Sequence, residues 1–303
     1  MNVNKLISDI AFYIAIKTHM RRLLGDKRYL KFLYYMKYYR PLNLDAPLSF
    51  TEKIQWLKLN DHKELYTTLV DKITAKNYVA DKIGSEYIIP TLGSWDSIDE
   101  IDFDTLPDRF VLKTNHGGGG CGIAICRDKN SFNIESAKKK LSKSMRSDVY
   151  DGLVEWPYKN VKPKILAEQY MSDERQEGDL TDYKFFCFNG TPTFCQVIKD
   201  RSTKETIDFF DMRWCHMPFI GLNPSKKPSA TPSATPITKP FNLKEMIKVA
   251  KQLSEDIPFV RIDLYEINNK VFFGEITFYP ASGFGFFSPD EWNRKLGDLI
   301  TIK

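Results

Sequence analysis

The sequence predicts an α+β fold, with a helical front followed by two β-containing lobes. Three observations carry that prediction. Helix signals fill the chain up to Gly84, short β-type runs take over from Tyr87, and Phe259–Phe278 reads as a long hairpin. In its first strand Val260, Ile262 and Leu264 face one way, and Arg261 and Asp263 the other.

In chain order, residues 1–40 read as helices with a basic face and an aromatic one, the latter from Phe32, Tyr34, Tyr35, Tyr38 and Tyr39. Ser49 followed by Glu52 is a capping box, which satisfies two orphan amides and opens a helix near Phe50–Asn60. A further helix spans about Lys72–Ile83, stopped by Gly84. Strands are expected at Tyr87–Leu92, Arg109–Thr114, Gly122–Cys126 and Ile165–Tyr170, with a lysine-rich helix at Ile134–Met145 between the last two. More strands follow at Tyr183–Phe188, Thr193–Lys199 and Thr206–Asp211. Residues 224–240 are rich in Ser, Thr and Pro and read as a loop or linker, because proline removes amide donors. Asn242 with Glu245 is expected to cap a helix over Leu243–Ser254. The divisions are a helical region at 1–70, a lobe with a glycine-rich flap at 71–170, and a second lobe at 171–303.

Composition narrows the class. A chain of 303 residues buries roughly three quarters of its unfolded surface. With 42% hydrophobic and 27% charged residues it is not disordered, and a mean hydropathy of −0.38 argues against a polytopic membrane protein. Five cysteines without a CxxC pair, and four scattered histidines, give no zinc site and suggest a reduced, cytoplasmic protein. The apolar run Ile10–Ile16 is too short to span a bilayer and lacks a cleavage site, so neither a membrane helix nor a signal peptide is expected. The net charge of +5 is uneven. Residues 1–40 hold nine basic residues against two acidic ones, leaving 35 basic and 37 acidic groups for the rest.

Two segments carry chemistry. The first is Lys113-Thr114-Asn115-His116 leading into Gly117–Gly122, which has five glycines in six positions. The Walker lysine is missing, and Ile123–Cys126 reads as a strand where a dinucleotide fingerprint needs a helix. What remains is a flap whose bare amides close over phosphates, with Lys113 as counter-charge. A flexible hairpin tip is the plain alternative, and His116 beside it is either a base or a structural loop residue.

The second segment is the hairpin. A three-residue turn at Asn268-Asn269-Lys270 sets Asp263 opposite Glu275 and Arg261 opposite Thr277. Opposed carboxylates repel unless a cation such as Mg²⁺ lies between them, and the plain alternative is a pair of unrelated surface acids. A two-residue turn would instead set Glu275 beside Ile262 and dissolve the site.

A phosphate flap with a strand lysine, followed by Arg-x-Asp and Glu-x-Thr on a hairpin, resembles the ATP-grasp superfamily from Asp71 to Gly283. Asp71-Lys72, Phe110-Val111-Leu112-Lys113, Ile165–Tyr170, Asp182–Phe186, Val260–Tyr265, Phe273–Thr277 and the front motif Ser49–Trp56 look like its teichuronopeptide-biosynthesis, TupA-like branch. The resemblance implies an ATP-grasp fold whose two lobes clasp ATP. It implies that Lys72 and Lys113 hold ATP phosphates beneath the flap of His116, Gly117, Gly118, Gly119 and Gly120. Glu168, Gln169, Tyr170 and Met171 fall at the hinge that reads adenine, and Asp182 where a ribose-binding acid is expected. Arg261 resembles the arginine that stabilises transferring phosphoryl charge, with Lys184 and Lys199 as further catalytic cations. Asp263, Glu275 and Thr277 take the places of Mg²⁺ ligands, although many relatives carry Asn where Thr277 stands, which leaves the third ligand open. Arg201, Ser282 and Gly283 are candidates for holding substrate.

The activity implied is an ATP-dependent carboxylate–amine ligase. Its partners would be an amino acid or peptide and a uronic-acid glycan, or a nucleotide-sugar or lipid-linked precursor of one. A phosphotransferase acting on a sugar and a non-catalytic nucleotide- or glycan-binding scaffold stay open. Nucleic acid is disfavoured, because residues 41–303 have no basic surplus. For residues 1–40 a packed helical layer, peripheral contact with the inner face of the membrane, and an acidic glycan ligand are all open.

Overall fold

The computed structural model describes residues 3–118, 122–176, 178–225 and 231–302. The front is helical, as expected: α1 (Val3–Lys17), α2 (Arg21–Leu24) and α3 (Asp26–Tyr38). Phe12 and Ala15 of α1 bury against Tyr29, Leu30, Leu33 and Tyr34 of α3. Three further helices follow: α4 (Phe50–Asn60), α5 (Glu64–Val70) and α6 (Thr74–Ile83). The capping box forms. Ser49 Oγ accepts from the Glu52 amide at 3.4 Å, and Glu52 Oε2 accepts from the Ser49 amide at 2.9 Å.

The first lobe carries β1 (Thr91–Trp95), β2 (Phe110–Thr114), β3 (Ile123–Cys126), α7 (Ile134–Met145), α8 (Val149–Leu153) and β4 (Ile165–Gln169). Its sheet has the order β1-β4-β2-β3, with every pairing antiparallel. Alternation along β2 sends Phe110 and Leu112 into a core with Leu141, Ile165 and Ala167, and turns Lys113 to the opposite face.

The second lobe carries β5 (Asp182–Phe188), β6 (Thr191–Lys199), β7 (Thr206–Asp211), β8 (Ile220–Asn223), α9 (Leu243–Leu253), β9 (Phe259–Ile267), β10 (Lys270–Thr277), β11 (Phe286–Ser288) and α10 (Glu291–Asp298). Its main sheet runs β10-β9-β5-β6-β7, again antiparallel, while β8 and β11 form a small pair of their own. Met246, Val249, Ala250 and Leu253 of α9 join the apolar core of this sheet. Ala75 and Val79 of α6 belong to that core too, although the sequence groups their stretch with the flap lobe.

Two expectations are corrected. The strand expected at Tyr87–Leu92 starts at Thr91, where pairing with β4 begins. Asn242 does not cap α9: its φ of −94° and ψ of 23° are not the extended conformation of a capping residue, and Glu245 instead accepts from the Tyr87 hydroxyl at 2.8 Å. The Ser/Thr/Pro-rich stretch is a loop over its described residues, as expected, and Thr231 and Ser233 lie along β7 through bonds to Ile207 and Asp208.

Candidate active site

The hairpin reaches the expected pairing by a different route. Its turn has two residues, Asn268 and Asn269, both left-handed at φ 49° and 60°. Next to the turn the register runs Lys270↔Ile267 to Phe273↔Leu264, which if continued would send Glu275 to Ile262. A bulge at Gly274 adds one residue to β10 and re-aims everything beyond it, giving Glu275↔Asp263 and Thr277↔Arg261. A Cβ on Gly274 would lie 3.0 Å from the Asp263 carbonyl oxygen and 3.0 Å from the Tyr265 ring. The turn expected at 268–270 is thus corrected to two residues, and glycine at the bulge restores the pair.

Around that pair lies a dense ionic network. Arg261 donates to both oxygens of Asp263 at 2.6 and 2.7 Å, to Glu275 Oε1 at 3.0 Å and to Thr277 Oγ1 at 3.1 Å. Lys184 donates to Asp263 Oδ2 and lies 3.4 Å from Asp182. Asp182 in turn takes Arg201 at 3.0 Å. Burial outweighs Arg261 and Lys184 and raises the Asp263 carboxyl, whereas for Glu275 burial is outweighed by Lys72, Lys184 and Arg261, which hold it well below the usual range. Two adjacent carboxyls are thereby pushed apart in acidity.

Lys72 links this hairpin to the flap. Its Nζ donates to the Gly117 carbonyl at 2.5 Å and stands 3.8 Å from Glu275 Oε2, and its own amide donates to Asn115. Burial depresses its pKa. Gly118 follows on the flap, while Gly119, Gly120 and Cys121 lie outside the described residues. His116 is buried, with Nδ1 at 3.2 Å from Asn115 Oδ1, and burial lowers its pKa. Lys113 pairs with Glu168 Oε2 at 2.5 Å, and Lys76 takes Glu168 Oε1 at 2.7 Å. The side chain of Glu168 therefore spaces two lysines. Gln169, Tyr170 and Met171 continue from β4 toward the second lobe, with Arg109 stacked 4.2 Å over the Tyr170 ring.

Other candidates are not brought in. Lys199 ends β6 on the face of Val197, opposite the face that Gln196 shares with Lys184, so strand alternation turns it away from the cluster. Ser282 and Gly283 are committed to the fold. The Ser282 amide donates to Tyr279 O at 2.7 Å, its hydroxyl donates to Glu155, and its carbonyl accepts from Gln55 and Lys58. Ala281, Ser282 and Gly283 are all left-handed, and these contacts hold them so.

Sequence reasoning missed Lys76, Gln55, Lys58 and Glu155. Lys76 had a readable signal, one helical turn beyond Lys72. Gln55 and Lys58 sit within and just after the front motif, which this contact explains: α4 grips the loop that follows the hairpin. Burial outweighs Glu155 and lowers Lys58 to about 8, while Glu155 itself is raised by burial.

A sequence family described as TupA-like ATPgrasp matches residues 52–301. The chain belongs to that family. Its α+β architecture of two β-containing lobes behind a helical front is the ATP-grasp fold. None of the curated proteins matches it significantly. Among solved structures this TupA-like protein resembles D-alanine–D-alanine ligase from Bacillus anthracis complexed with ATP at 13% identity and a TM-score of 0.38, over 69% of this chain and 53% of that one. The Helicobacter pylori D-alanine–D-alanine ligase gives 16% identity and a TM-score of 0.42, over 83% and 69%. A biotin carboxylase complex from Campylobacter jejuni gives 12% and 0.42, over 90% and 52%. The chain spans little more than half the length of the Bacillus anthracis ligase.

The family implies ATP and Mg²⁺, and the donor set fits them unevenly. Among the described residues no group of three or more His, Cys, Asp or Glu could hold a metal by protein alone. A magnesium ion bound with phosphates needs only one or two carboxylates. Glu275 fits: its side chain is a third exposed, and among the described residues the ion pair recorded for Oε2 is the long one to Lys72 at 3.8 Å. Thr277 Oγ1 stands 3.2 Å from Glu275 Oε1. Asp263 is buried with both oxygens taken by Arg261 and Lys184, so in the TupA-like site it holds those cations in place.

Proposed function

We propose that this TupA-like ATP-grasp protein is an ATP-dependent carboxylate–amine ligase. The γ-phosphoryl group passes to a substrate carboxylate, giving an acylphosphate and ADP. An amine then attacks the acyl carbon, phosphate leaves, and an amide forms after loss of a proton from the nitrogen. The observation that supports this best is Lys72, one side chain that bonds the flap carbonyl and stands 3.8 Å from the partly exposed carboxylate of the hairpin.

With Lys113 held by Glu168, Lys72 would bind phosphate oxygens between the lobes, and Arg261 and Lys184 would offset charge on the transferring group. Mg²⁺, when bound through Glu275 and Thr277, supplies charge neutralisation for the phosphates. Gln169, Tyr170 and Met171 would border the base and Asp182 the ribose. The acceptor chemistry that we infer, supported by the family resemblance alone, is an amino acid or peptide joined to a uronic-acid glycan or its precursor.

The test is ADP release screened over amino acids and uronic-acid acceptors, with mass spectrometry of the product. An amide whose formation needs both partners is expected. A stable phosphoester without amide would reject the ligase in favour of a phosphotransferase, and absence of turnover with retained nucleotide binding would favour a scaffold.

A further inference from the structure

Among its described side chains, helix α1 has two apolar faces, and only one is covered. Its inner face buries Phe12 and Ala15 against α3, and Phe12 meets Phe284 edge-on at 5.3 Å. Its outer face exposes Ile7 (59%), Ile10 (48%), Tyr13 (61%) and Ile14 (50%). Spacings of three and four residues set these in one stripe, which Lys17 extends by a turn. Just beyond, Leu23 is 88% exposed. Of the fourteen large hydrophobic residues exposed among the described ones, seven lie between Ile7 and Tyr39. Surface apolar side chains scattered singly need no explanation, but a contiguous stripe marks a contact surface.

Charge decides what the contact is. The helical front that carries the stripe also exposes five cations: Lys17, Arg22, Lys27, Arg28 and Lys31. His19, Arg21 and Arg22 converge on Asp151 of α8, which fastens the layer to the first lobe. A second copy docking through this stripe would bring two cationic helical fronts together, whereas an anionic lipid surface answers both features. No helix among the described residues is long and apolar enough to cross a membrane.

We propose that α1 lies in the plane of an anionic bilayer surface, with Ile7, Ile10, Tyr13 and Ile14 inserted among the lipids and the exposed Lys and Arg of the helical front drawn to the headgroup phosphates. Loop 280–284 packs under the inner face of the same helix, so docking sets that loop about one helix diameter, ~10 Å, from the lipid.

Flotation of the full chain with phosphatidylcholine vesicles, with and without phosphatidylglycerol, tests this. Binding is expected only with the anionic lipid and is expected to weaken with salt. Ile10→Asp with Tyr13→Asp should abolish it; both sites are exposed, and unchanged thermal unfolding checks the fold. Should that pair misfold, Lys17→Glu with Lys31→Glu decides, with a loss of at least about tenfold expected from roughly fivefold per cation. No flotation on anionic vesicles, or equal flotation of these variants, overturns the proposal. A dimer seen by light scattering, dissolved by the Asp pair and unable to float, would assign the face to a second copy instead.

Discussion

Two glutamates of the site are both held by lysines, yet they are built for opposite purposes. Glu168 is buried, with Lys76 on one oxygen and Lys113 on the other. Glu275 is a third exposed, with Arg261 and Thr277 on one oxygen and Lys72 at the long distance of 3.8 Å from the other. The first is a closed clamp that spends its charge on the fold. The second keeps an oxygen open to a ligand. Charge on a carboxylate therefore does not identify a site by itself; the unoccupied lone pairs do.

The largest expected effect comes from breaking the clamp. Glu168→Gln leaves the buried Lys76 and the half-buried Lys113 without a counter-charge, and removing one partner of a buried ionic group costs roughly 3–5 kcal/mol. Chemical denaturation should show that loss. A change below about 1 kcal/mol would mean that water already solvates the lysines.

The same clamp gives a pH signature. Burial works against the charge of Glu168, but Lys113 and Lys76 outweigh it and hold the carboxyl at about 2. That lies below the value of about 4.3 in an unfolded chain. The clamp's contribution is therefore complete above roughly pH 4.5 and is lost as pH falls toward 2, by roughly 3 kcal/mol. Stability measured across that window should drop more steeply for the native protein than for Glu168→Gln. Parallel curves would remove the clamp as the cause.

Opening is tested by Glu275→Gln. It should lower ATP-dependent turnover by roughly 10²–10³-fold, about 3–4 kcal/mol of transition-state stabilisation. Its effect on melting should be smaller than that of Glu168→Gln, because the side chain is partly solvated. Turnover retained within a few-fold would place the magnesium ligands elsewhere. A pair of variants with reversed behaviour would overturn the contrast as a whole.

Sequence alone made much of this legible, and the failures are physical. Capping at Ser49 and the helix Ile134–Met145 were readable because their signals are local, a hydroxyl and a carboxylate three residues apart and a polar face with Ala137 and Leu141 buried behind it. Lys199 falls on the face of β6 opposite Lys184, a matter of strand parity that depends on where the strand starts and pairs. The grip of Gln55 and Lys58 on Ser282 was invisible, since more than two hundred residues separate the partners. The pairing of Asp263 with Glu275 was anticipated through a three-residue turn that does not exist. Counting residues could not distinguish a longer turn from a shorter one followed by a bulge, because both shift the register by one.

That ambiguity supplies the finest test. If the bulge positions Glu275, tightening it should affect ligand chemistry more than folding. Gly274→Ala places a methyl 3.0 Å from the Asp263 carbonyl and the Tyr265 ring, so the neighbours must move by a few tenths of an ångström. Overpacking of this kind costs roughly 1–3 kcal/mol, with the lower end expected because a hairpin strand at the sheet edge can shift. Glu275 and Thr277 lie directly beyond the bulge and would move with it, whereas Lys72 and Lys113 come from other elements and would stay. The variant should therefore need more magnesium for half-maximal turnover while its KM for the carboxylate substrate changes little. A loss of stability with unchanged magnesium dependence would make Gly274 a packing residue, and the bulge a feature of the fold with no part in aiming the site.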